Sequence, residues 1–126
     1  MIDIDKQIAF WRDRAEEDLA VARDLVRRNR VRHGLFFAHL ALEKDLKARV
    51  CRVTQDIAPR LHNLVRLAEL AGLDLQPAQV DILAEMNSFN IEGRYPDRLP
   101  ALSSQEGAEH YMAQADEVFQ WLIALL

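Results

Sequence analysis

Apolar residues recur every three or four positions along nearly the whole chain, and only a helix gathers residues at that spacing onto one side. The clearest run is Ile8, Trp11, Ala15, Leu19, Ala22 and Val26, with Arg12, Glu16, Arg23 and Arg27 on the opposite side. It predicts a first helix over 4–28, closed by the polar run Arg28-Asn29-Arg30. The second helix, Arg32 to Arg52, is different in kind, because Leu35 to Leu42 is apolar on almost every side. Such a helix is buried on more than one face and belongs at the centre of a fold. Thr54 to Arg60, with Pro59, reads as a loop, and His62 to Ala71 as a third helix stopped by Gly72. Pro77 suits the first turn of a fourth helix running to Ser88. Phe89 to Leu102 holds Gly93, Pro96 and Pro100 and is expected to be irregular. Ser103 and Glu106, at capping-box spacing, open a last helix that runs to the end. The expected fold is all-α, an up-and-down antiparallel bundle of four to five helices joined by short connections.

A chain of 126 residues suits one domain, here 1–126. Half of it is apolar and 29% is charged, the balance of a globular protein, and four Gly with four Pro are too few for the turns of an all-β fold. Cys51 is the single cysteine, which excludes an internal disulfide and a cysteine-based zinc site and fits a reducing cytoplasm. Asp3, Asp5, Lys6, Arg12 and Asp13 leave no apolar signal core, and nowhere do eighteen apolar residues run together. A cytoplasmic protein without a membrane span is expected. The net charge of −4 is unevenly spread: residues 1–60 carry 13 basic and 10 acidic side chains, whereas 61–126 carry 3 and 10. Opposite charge at the two ends favours docking to a partner or to a second copy over coating a nucleic-acid backbone.

Spacing argues against several chemistries. A di-metal site in a bundle needs Glu three residues before His, but Arg30, Phe36, Pro59 and Gly107 precede His33, His39, His62 and His110. No Gly-rich phosphate loop and no Gly-x-Ser-x-Gly elbow occurs, so no cofactor and no metal is expected. Cys51, among Val50, Arg52 and Val53, reads as a packing thiol rather than a nucleophile. Leu64 to Leu73 looks like the first half of a helix-turn-helix. The following helix offers Gln79, Asp81, Glu85 and Asn87 without Arg or Lys, and DNA phosphates would repel it.

Phe36 to Ala48, Leu61-His62-Asn63-Leu64 and Asn90 to Asp97, with Trp11 and Glu17-Asp18-Leu19-Ala20 upstream, resemble the HEPN family, the higher-eukaryote and prokaryote nucleotide-binding domains. The resemblance covers nearly the whole chain. It implies a helical bundle that commonly forms a homodimer and that is often encoded beside, or fused to, a minimal nucleotidyltransferase in toxin–antitoxin-like pairs. Many such proteins are metal-independent ribonucleases using Arg, four to six residues, then His, near the start of a late helix. Others lack that motif and bind nucleotides or act as non-catalytic partners. Here the spacing occurs as Arg27 or Arg28 with His33, and Arg32 with His39, all between the first two helices. From Arg94, at the expected place, the next histidine is His110, sixteen residues on. The implied function is therefore a nucleotide-binding and interaction module without catalytic residues. The alternative is a ribonuclease toxin using those early arginines with His33 or His39.

The polar residues within the resemblance have a physical reading of their own. His39, Glu43 and Lys47 stand at i, i+4 and i+8, one polar line on a buried helix. Buried ionisable groups are costly unless paired, so the line is either an ion-pair ladder or the floor of a polar cleft. His62 and the pair Arg94-Tyr95 are the residues expected to converge on it, offering a cation, hydrogen-bond donors and a stacking surface for a nucleotide. In the competing reading Arg94 pairs with Glu43 or Glu92 and pins the loop.

Overall fold

The computed structural model describes residues 2–94 and 105–124. Five helices occur among them: α1 (Ile4–Arg27), α2 (Val31–Thr54), α3 (Leu64–Leu70), α4 (Pro77–Arg94) and α5 (Gln105–Ala124). They form an up-and-down bundle without strands among the described residues. Asp3 starts α1 by accepting from the Lys6 amide at 3.1 Å. The helix ends where Asn29 takes φ 63°, with Arg30 N–H donating to the Leu25 carbonyl and Asn29 N–H to that of Val26. This left-handed cap satisfies two carbonyls at once and turns the chain back within three residues.

The return helix is antiparallel. Gly34 lies against Val26, Lys44 pairs with Asp18, and Ala48 and Cys51 pack beside Ile8. Gly34 is needed at the first crossing. A Cβ there would stand 2.5 Å from Val26 Cγ2 and 3.1 Å from the Ala22 carbonyl.

Helix α2 is central, as its apolar first half requires, and touches each of the other four helices. Its Leu35, Ala38, Leu42 and Leu46 are fully buried against Leu19 and Val26 of α1, Leu64 and Leu67 of α3, Leu83 and Met86 of α4, and Phe119 and Leu122 of α5.

Several boundaries differ from the sequence expectation: α1 and α2 by one or two residues, with Thr54 helical rather than in the loop, and α3 and α4 for reasons the structure shows. Helix α3 begins at Leu64, not at His62, because Asn63 caps it by accepting from the Arg66 amide at 3.1 Å. Its end does fall at Gly72, which adopts φ +70°. Helix α4 continues past Ser88 to Arg94, so the first half of the expected irregular stretch is helical. Phe89 supplies the reason: it is buried and meets the edge of Tyr111 on α5 with ring centroids 5.0 Å apart. Tertiary packing of that kind outweighs the roughly 1 kcal/mol by which Gly93 disfavours helix. Tyr95, Pro96, Pro100 and Ser103 lie outside the described residues. No described helix is long and apolar enough to cross a membrane.

Candidate functional site

Besides Cys51, five ionisable side chains are buried on α2: His39, Glu43, Asp45, Lys47 and Arg49. Positions 43 and 45 lie almost opposite each other around a helix, so the five divide into two clusters.

The first cluster is centred on Glu43, which is 4% exposed. Lys47 Nζ donates to its Oε2 at 3.0 Å, one turn along the same helix. His62 Nδ1 donates to both carboxylate oxygens, at 3.1 and 3.2 Å, from the connection between α2 and α3. The ammonium of Lys47 also lies 5.1 Å from the centre of the Trp11 ring, which ties α1 into the cluster. His39 stands behind, its Nδ1 3.8 Å from Glu43 Oε1. Its ring nitrogens make no hydrogen bond of good geometry among the described residues, although the His62 backbone and the Asn87 side chain lie near enough to favour its protonated form. Burial pushes His39 down to about 4, against the pull of the Glu43 carboxylate, so the ring is neutral at pH 7.

The connection carrying His62 is itself anchored. Asn87 on α4 accepts from the Leu64 amide at 2.8 Å and donates to Asn63 at 3.1 Å. His62 thus sits between a buried carboxylate and a clasped backbone while its own side chain remains 56% exposed. With Nδ1 given to Glu43, its Nε2 is left for an outside partner, as an acceptor when the ring is neutral and as a donor when it is charged.

The sequence reading expected His39, Glu43, Lys47, His62, Arg94 and Tyr95 to converge. The structure brings the first four together. Arg94 stands on the backbone of α4 two turns beyond Asn87, in a helix rather than in a loop; its side chain and Tyr95 lie outside the described residues.

The second cluster was missed. Arg49 Nε donates to Asp45 Oδ2 at 3.2 Å, both residues being buried. Burial pushes the Asp45 carboxyl up, against the opposing pull of Arg49. The signal was present, an acid and a base four residues apart on a helix already read as buried.

Of the residues that carry the ribonuclease spacing, His39 is enclosed, whereas Arg27, Arg28, Arg32 and His33 are exposed at the α1–α2 corner. Among the described residues no group of three or more His, Cys, Asp or Glu is arranged to hold a metal ion.

The HEPN domain family model matches residues 8–125. The chain belongs to the HEPN family. Two solved structures share its fold. TT1696 from Thermus thermophilus is 22% identical with a TM-score of 0.78, covering 95% of this chain and 98% of that one. ST0689, an archaeal HEPN homologue, is 20% identical with a TM-score of 0.68, covering 99% of this chain and 98% of that one. No curated protein matches the chain.

Proposed function

We propose that this HEPN protein is a cytoplasmic binding and interaction module that forms a homodimer, pairs with a minimal nucleotidyltransferase in a toxin–antitoxin-like system, and holds a nucleotide at the His62 edge of the Glu43 cluster. His62 carries this reading. An exposed imidazole fixed in direction by a buried carboxylate costs less ordering on binding than a free one and suits a phosphate oxygen. Arg94 and Tyr95, at and just beyond the end of α4, are the groups expected to add a second cation and a ring. The exposed basic corner at Arg27, Arg28, Arg30 and Arg32 suits an acidic partner surface, such as the outer faces of α4 and α5 with Asp81, Glu85 and Glu117.

The test is a titration of the full chain with adenosine monophosphate. His62→Ala should weaken binding about tenfold and lower stability by about 1 kcal/mol, because the buried Glu43 carboxylate loses one of its two partners and keeps Lys47. Equal binding by wild type and variant contradicts the reading. RNA cleavage by the purified chain, abolished by His33→Ala, would favour the ribonuclease alternative instead.

A further inference from the structure

A cavity of about 530 Å³ opens between the C-terminal end of α2, the α3–α4 connection and α5, on the side of α2 away from Glu43. Arg49 and Arg52 line it from α2, Trp121 from α5, and Gln76 and Gln79 from the start of α4. Arg49 is 6% exposed, and among the described residues its guanidinium is engaged through Nε, with Asp45. Its Nη2 is closed off without a hydrogen-bond partner among the described residues, so a ligand in the cavity would meet the guanidinium at Nη1. A guanidinium presents five donors in a planar fork, so a buried one that is satisfied along a single edge lacks an acceptor.

The surroundings indicate which acceptor. Arg52, one turn further along α2, adds an exposed second guanidinium that makes no ion pair among the described residues. Helix α4 begins at Pro77, so the positive end of its dipole lies at the rim. Gln79 Oε1 accepts from the Gln76 amide at 2.8 Å, which leaves the Gln79 amide nitrogen as a donor. Trp121 is half-buried and lines the cavity from α5, whereas the arginines line it from α2. Asp74 is the exposed carboxylate of the rim, and its charge directs an anion away from itself and towards the arginine side.

We infer that this cavity binds a small molecule with a planar ring and an anionic head, phosphate or carboxylate, the head on Arg49 and Arg52 and the ring against Trp121. The inference is independent of the nucleotide reading, since none of its residues belongs to the Glu43 cluster.

Proton–nitrogen NMR of the full chain tests it, with phenyl phosphate, benzoate, benzyl alcohol and inorganic phosphate as probes. The indole N–H signal of Trp121, assigned through Trp121→Phe, should move with phenyl phosphate or benzoate at millimolar concentration, while that of Trp11 stays. The stronger of those two identifies the head. Benzyl alcohol and inorganic phosphate should bind at least tenfold more weakly, and Arg52→Ala, at an exposed position, should weaken the better probe at least tenfold. Arg49→Lys, which keeps the charge but loses the fork, should do the same. No movement with either anionic probe overturns the inference, as does binding unchanged in Arg52→Ala and Arg49→Lys. Inorganic phosphate binding as tightly as phenyl phosphate overturns the role of Trp121.

Discussion

A carboxylate in the position of Glu43, enclosed and bonded by Lys47 and His62, leaves an uncompensated buried ammonium when it is removed. Glu43→Gln should therefore lower stability by about 3 kcal/mol, read from urea unfolding. Replacing both partners, as in Glu43→Leu with Lys47→Met, should lose much less, because two apolar groups need no compensation. His39 gives a pH dependence with a definite sign. Its folded value of about 4 lies below the ordinary 6.5, so the unfolded chain takes up the proton first. The stability from its neutral form is complete above pH 6.5 and is lost as pH falls to 4, about 3 kcal/mol in all. His39→Leu should flatten the stability profile across that window, and an unchanged slope would contradict the assignment. At this scale the sequence was informative where one face could be traced. His39, Glu43 and Lys47 stand on one line, and that line exists. Asp45 and Arg49 obey the same spacing on the other side of α2, beyond the apolar run Leu35 to Leu42. The bond from His62 to Glu43 joins residues 19 apart, and no helical period encodes such a contact.

Helix boundaries depended on what lay beyond the local pattern. Asn63 carries its own cap in its side chain, and Gly72 its own stop in its φ. The extension of α4 through Gly93 depends on Phe89 meeting Tyr111, a contact 22 residues away in the chain. Gly34 shows the same conflict between local and tertiary terms. Alanine is the better helix former by about 1 kcal/mol. At this crossing, though, its Cβ would overlap Val26, a stiff β-branched side chain, and crowd the Ala22 carbonyl. Gly34→Ala should therefore destabilise the protein by about 2 kcal/mol, measured as a shift in the urea midpoint. Gly72→Ala has open space around it, and should lose only about 1 kcal/mol from its left-handed backbone.

For the whole molecule, the apolar period was enough to give the bundle and to place α2 at its centre, because a helix whose run Leu35 to Leu42 is apolar on almost every side must be covered on more than one face. The two clusters it carries lie on different sides of the helix. One is the Glu43 cluster, clasped to α4 through Asn87. The other is the arginine-lined cavity against α5. Charge divides the chain as well, and association through a helical face should give an isologous dimer, seen as a single two-chain species in sedimentation at micromolar concentration. The reading of the Glu43 cluster rests on a nucleotide held between His62 and the end of α4. The most direct measurement is a calorimetric titration of Arg94→Ala with adenosine monophosphate beside a thermal melt of the same variant. Binding should fall about tenfold while the melting temperature barely moves. A large drop in melting temperature with binding intact would make Arg94 a structural pin and contradict the account.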